Sequence, residues 1–276
     1  MRALAVALFL ASFIQFASAA QPSDAALTIT VGPQTHHFTV AELLERSDAA
    51  TIKIPEDVSY RHAMTYHAVP LLNLLKGMPI DAFDTIEARA TDGFASQIPM
   101  ELVEKGAGGG SVAWVAVEDP AEPWPVLPGK DISAGPLYLV WEHPERSAVG
   151  SELWPYQLAS LTGTESPAHR WPQMAVDDGL PADAPARRGQ AVFTTHCMSC
   201  HRMKDAGASD IGPDLGQPMN PTQYLSPEAL RLLIRNPKAV RTWPQQQMLG
   251  FDKTMLPEPE LDALIAYLAY MAENPG

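Results

Sequence analysis

Two cysteines in 276 residues, both inside the pentapeptide Cys197-Met198-Ser199-Cys200-His201, limit this chain more than any other feature. A disulfide framework needs several spaced cysteines, and a structural zinc ribbon needs a second pair of thiolates downstream. Neither can be built here. Stability must come from apolar burial, for which 46% hydrophobic residues and a length sufficient for two cores are adequate. The 26 prolines are spread without a low-complexity tract, so they predict loops and stiff connections rather than one helical bundle.

The pentapeptide places two thiols about one helical turn apart with an imidazole directly after the second. That spacing suits addition of each sulfur to a vinyl group of one porphyrin while the imidazole rises to its iron. A thioredoxin-like pair would sit after an early strand, and a zinc half-site would need a second ligand pair. The reading is one covalent haem c, held by Cys197 and Cys200 with His201 on the iron, and no cysteine remains for a second haem.

The chain opens with Arg2, a mostly apolar run over residues 3–16, and the small residues Ala17-Ser18-Ala19-Ala20. This is the layout of a signal peptide cleaved near Ala19 or Ala20. The run is interrupted by Ser12 and Gln15 and falls short of the roughly 20 residues that span a bilayer. No later stretch is longer. The expectation is export to the periplasm and a mature chain that does not span the membrane.

Charge is unevenly divided. Residues 21–186 carry nine Lys or Arg against 23 Asp or Glu, whereas residues 187–276 carry nine of each. A nucleic-acid surface is excluded, because phosphate neutralisation needs clustered basic groups. The acidic part would attract basic-surfaced redox partners, although the same carboxylates also serve as a solvated face.

Alternating residues at 27–31, a Gly32-Pro33 break and residues 37–40 predict a hairpin, followed by a helix over 41–46. Strands are expected at 51–54, 85–90, 111–117 and 137–141, and helices at 70–76 and 100–105. From 162 to 185 the pattern dissolves into Pro, Asp and Ala and reads as a linker. Helices follow at 186–196, at 227–234 with Ser226 as N-cap and Pro227 at the first position, and at 258–271. The predicted class is α+β: signal peptide 1–20, a strand-rich domain 21–161, a linker 162–185 and a small all-α domain 186–276.

The all-α part resembles class I cytochrome c over residues 186–274. Gly189 and Phe193, the pentapeptide, Ile211-Gly212-Pro213-Asp214-Leu215, a later methionine and Leu264-Ile265-Ala266-Tyr267-Leu268 occur in the family's order. The resemblance implies that the first and last helices cross at Gly189, with Phe193 and Tyr267 filling the crossing. It implies that the Pro213 carbonyl accepts the His201 Nδ1 hydrogen, leaving Nε2 for iron. It also implies a methionine as sixth ligand. Met248-Leu249-Gly250-Phe251 matches the family's Met-Pro-x-Phe apart from Leu249, and is preferred over Met255. Arg241 and Trp243, with Lys238, lie where the family places donors to the haem propionates. His/Met ligation closes both axial positions, the state of an electron carrier rather than an oxygen-activating iron.

Residues 27–158 resemble, more faintly, the sulfite-oxidase-type molybdopterin-binding domain. The likeness rests on Tyr66-His67-Ala68-Val69-Pro70-Leu71, Ala90-Thr91-Asp92-Gly93-Phe94, Ala113-Trp114-Val115-Ala116 and Gly135-Pro136-Leu137-Tyr138-Leu139-Val140. That family holds molybdenum through a cysteine thiolate, and this region has none. The expectation is a scaffold kept without molybdopterin and used to dock a redox partner. The alternative is an oxidoreductase that uses molybdopterin or a metal and passes substrate electrons to its own haem. A soft-metal site from His36, His37, His62, Met64 and His67 is a further possibility, while Trp124, Trp141 and Trp154 read as packing residues.

Overall fold

The computed structural model describes residues 26–209, 211–243, 246 and 248–274, so the expected signal peptide lies outside the described residues. The chain runs β1 (Leu27–Val31), β2 (Gln34–Phe38), α1 (Val40–Leu44), β3 (Ala50–Ile54), β4 (Met64–Pro70), α2 (Leu71–Leu74), β5 (Thr85–Ala90), β6 (Ala95–Pro99), α3 (Met100–Glu104), β7 (Val112–Val117), β8 (Leu137–Glu142) and β9 (Leu158–Thr164). Helices follow: α4 (Pro167–Arg170), α5 (Pro185–Val192), α6 (Pro221–Tyr224), α7 (Pro227–Arg235), α8 (Pro237–Val240) and α9 (Glu258–Glu273). The α+β class, strand-rich first and helical last, is what the sequence predicts.

The strands form two sheets, ordered β2-β1-β9-β5-β6 and β3-β4-β7-β8. All pairs are antiparallel except β1 with β9, which brings the last strand back between the first hairpin and β5. One apolar core runs through both sheets, from Leu27, Ile29 and Leu161 to Tyr66, Val115 and Trp141. In β1 every second side chain is buried, as a strand with one face to the core requires. Trp141 and Trp154 are buried in this core, and Trp124 packs edge-on to Tyr66 with centroids 4.9 Å apart.

Asp57 is the polar centre of the first domain. Its carboxylate is buried and accepts the backbone N–H groups of Ser59 and Tyr60 at 2.9 and 2.8 Å and the Tyr66 hydroxyl at 2.9 Å. Hydrogen bonds to a charged group contribute about 1.5–3 kcal/mol each, which offsets the cost of taking the carboxylate out of water.

The segment 162–185, expected as a linker, is ordered. Residues 162–164 complete β9, and α4 and a single 3-10 turn, Pro172–Met174, follow. Met174 and Val176 are buried in a second apolar core, against which Trp171 and Leu180 pack. These apolar side chains have no helical or strand period, so the sequence pattern hides their burial. Arg187 Nη2 donates to the carbonyls of Asp177 and Asp178 at 2.9 and 2.7 Å and fixes the segment to α5.

In the second domain α5 crosses α9. A Cβ at Gly189 would run into the backbone carbonyl of Ala263 and lie 2.6 Å from Tyr267 Cβ, so only glycine lets the helices approach this closely. Phe193 and Tyr267 are fully buried at the crossing, ring centroids 5.5 Å apart. Ser226 caps α7, accepting the Ala229 N–H at 3.2 Å, with Pro227 at the first helical position.

Candidate haem site

Helix α5 does not end cleanly. It widens into a π turn, Phe193–Cys197, and the pentapeptide follows from its last residue. The His201 N–H bonds back to the Cys197 carbonyl at 2.8 Å, so thiols and imidazole share one tightly wound segment. Both thiols are free. Burial, reinforced by Glu152 and Cys200, pushes the Cys197 thiol up to about 12, and burial raises Cys200 as well. A disulfide-exchange pair needs a lowered thiol pKa, so this environment argues against thioredoxin-like chemistry. Among the described residues no three His, Cys, Asp or Glu side chains gather as a metal site.

His201 is held on its Nδ1 side. That nitrogen lies 2.8 Å from the Pro213 carbonyl oxygen, and Nδ1–H donation leaves Nε2 as the bare lone pair. Burial keeps the imidazole below its ordinary pKa, against the Pro213 hydrogen bond, and so favours the neutral ligating form. A Cβ at Gly212 would sit 2.5–2.6 Å from His201 Cε1 and Nδ1, so glycine is required beside the ring. Asp214 folds this loop back by accepting the N–H groups of Lys204, Asp205 and Gly216 at 2.7–2.9 Å. Gly212-Pro213-Asp214 is thus both a turn and a support for the imidazole. These residues fit a covalent haem: two unpaired thiols in place and one oriented imidazole with its outer nitrogen available.

The two methionines differ in setting. Met248 is half-buried in the loop between α8 and α9, ahead of Leu249, which is 71% exposed. Met255 is also half-buried, but its N–H donates to Asp252 Oδ1 at 2.9 Å in the turn that leads into α9. Arg235 anchors that turn through the carbonyls of Phe251 and Asp252 at 3.0 and 2.9 Å. Lys238, Arg241 and Trp243 are exposed, the Arg241 guanidinium 5.5 Å from the Trp243 ring centroid.

The first domain reaches this site, which the sequence did not reveal. Strand β6 lies at the edge of its sheet, and Ala95 N–H points at the Ser199 carbonyl, 3.5 Å away. Arg89 Nη1 donates to the Ala208 carbonyl at 3.0 Å, and Glu152 Oε1 stands 3.1 Å from His196 Nδ1. The only signal in the sequence is that His196 precedes Cys197.

The soft-metal grouping does not assemble. His36 and His37 lie in β2 of one sheet, and Met64 and His67 in β4 of the other. Within β4 Met64 and Tyr66 point to the core and His67 to the opposite face. His62 Nδ1 lies 2.9 Å from the Ala63 carbonyl, and His67 Nε2 lies 3.1 Å from that of Leu44. A cleft of about 430 Å³ beside His67 is lined by Tyr66, Trp124, Asp119 and Glu122 among others. Its carboxylates do not suit an anionic pterin phosphate.

No curated protein matches the chain. A family model described as cytochrome c matches residues 186–272, which span α5, the π turn, the pentapeptide and nearly all of α9. Residues 186–272 thus match a cytochrome c domain, which supports electron transfer through haem c.

Proposed function

We propose that the chain is an exported monohaem c-type cytochrome in which Cys197 and Cys200 form the two thioethers and His201 and Met248 are the axial ligands. The observation that carries this reading is the His201 ring, fixed through Nδ1 on Pro213 with glycine alone able to stand beside it. The haem supplies a one-electron ferric/ferrous couple. The protein's part is to hold that couple in one coordination state. Pro213 orients the imidazole, Met248 supplies a neutral soft donor, and Phe193 and Tyr267 exclude water behind the attachment turn. Arg241 and Trp243 lie on the loop that leads to Met248 and serve as donors toward the propionates, for which the guanidinium fork is suited.

The first domain keeps the sulfite-oxidase-type scaffold without its cofactor and docks a basic-surfaced redox partner. The absence of cysteine from residues 21–186 and their 14-charge excess of acid over base support this reading. Residues 1–20 direct the chain to the periplasm. The axial assignment is tested by the weak sulfur-to-iron absorption band near the red edge of the ferric spectrum. Met248→Ala loses the band and Met255→Ala keeps it; the opposite pattern overturns Met248.

A further inference from the structure

Glu152 is a buried carboxyl side chain of the first domain. Only 7% of its surface is exposed, and neither carboxylate oxygen has a hydrogen-bond partner among the described residues. Among the described residues the imidazole of His196 faces it, with Nδ1 3.1 Å from Oε1 but not aligned to donate to it. A carboxyl group buried with so few partners is unusual. A redox or catalytic role is one of the reasons a structure keeps such a group.

The surroundings hold it in place. Glu152 belongs to the first domain, on a 3-10 turn, Ser151–Leu153. The Ser96 hydroxyl donates to the Glu152 carbonyl at 2.5 Å, and the Trp141 indole donates to the Leu153 carbonyl at 2.8 Å. The carboxylate lies over Gly150, where a Cβ would collide with Oε1. Backbone and neighbours therefore aim this side chain across the domain boundary, at the π turn that ends in Cys197. On the haem reading proposed above, on which this inference rests, the side chain of Cys197 becomes a thioether of the macrocycle.

We propose that Glu152 is a positioning residue for haem potential: a carboxylate lent by the first domain that favours the ferric over the ferrous state of the neighbouring domain. Reduction takes one electron from a donor protein and removes one positive charge from the iron, with no bond formed or broken. When ionised, a carboxylate in a water-poor boundary stabilises the more positive state of a nearby couple, and low local dielectric gives it reach. The first domain is then part of the redox centre as well as a docking surface.

The test is redox potentiometry on the full-length holoprotein, with covalent haem content and the sulfur-to-iron band measured on each sample. Glu152→Gln should raise the midpoint, changing the ferrous-to-ferric ratio at fixed poise by about tenfold, equivalent to about 59 mV for one electron. Glu152→Asp should recover part of the shift. Gly150→Ala, whose backbone at φ −78° accepts alanine, displaces the carboxylate without removing it and should shift the midpoint in the same direction. Glu101→Gln, a side chain 81% exposed on the same domain, removes the same charge and should leave the midpoint unchanged. Full haem content and an intact band with a midpoint that moves less than threefold in both Glu152→Gln and Gly150→Ala would overturn the inference. An equal shift in Glu101→Gln would also overturn it, reducing the effect to net charge. A wild-type protein without covalent haem would remove the reading beneath it.

Discussion

The two domains hold their polar groups to opposite ends. In the first, buried Asp57 is surrounded by hydroxyl and backbone donors, and buried Glu87 by the Gln97 amide at 3.2 Å and the guanidinium groups of Arg89 and Arg170 at 2.9 and 2.6 Å. These carboxylates are satisfied and serve to fix strands and turns. In the second, the notable polar atoms stand on the attachment segment without a bonded partner: two free thiols and the Nε2 of an imidazole tethered by its other nitrogen. The contrast separates groups that a fold consumes from groups it presents. Glu152 is the exception, a first-domain carboxylate that is left unsatisfied and faces the other domain.

The largest effect that would break this comparison is at Gly189. Because its neighbour is backbone rather than a side chain that can swing away, Gly189→Ala must push α5 and α9 apart, at a cost of about 3 kcal/mol. Denaturant unfolding followed separately by haem absorbance and by the first domain's far-ultraviolet strand signal should show the loss in the second domain alone. A loss below about 0.5 kcal/mol, or one shared equally, would mean that the crossing is not built as described or that the domains do not unfold separately.

A smaller effect lies at Glu87. Burial raises its pKa, but Gln97, Arg170 and Arg89 outweigh burial and leave it below the ordinary glutamate value of 4.5. A carboxylate with a depressed folded-state pKa contributes stability that is present above the unfolded value and is lost as pH falls through the folded one. The first domain's unfolding temperature should therefore drop as pH is lowered from about 5 to 3, with a contribution of about 1 kcal/mol from this residue. Glu87→Gln should be less stable at pH 7 and should show a shallower acid dependence. Parallel acid profiles for the two proteins would assign the acid sensitivity to other carboxylates.

What could be read from sequence follows the same division. The attachment pentapeptide, the Ser226 cap and the periodic final helix act over a few residues, and each leaves a local mark. Strands β1, β3, β5, β7 and β8 were legible from their runs of apolar residues. Strands β4, β6 and β9 were not. Met64–Pro70 ends on proline and carries His67, Ala95–Pro99 is short and polar at its centre, and Leu158–Thr164 contains Gly163 and three hydroxyl side chains. Their strand state is imposed by sheet neighbours distant in sequence, as when β9 enters between β1 and β5. The contact of Glu152 with His196 likewise joins positions 44 residues apart in different domains, and no spacing rule predicts it. The buried Met174 and Val176 in the expected linker were hidden for a similar reason, since two apolar residues without a period look like loop.

The central claim is that one haem is attached to this chain through both thiols of the pentapeptide. It is tested most directly by the intact mass of the natively produced protein under denaturing conditions, before and after acid extraction of loosely held haem. The account predicts a single species whose mass exceeds that of the processed chain by one haem, unchanged by extraction and with no thiol free to alkylate. A chain mass without haem, with Cys197 and Cys200 both open to alkylation, would contradict it.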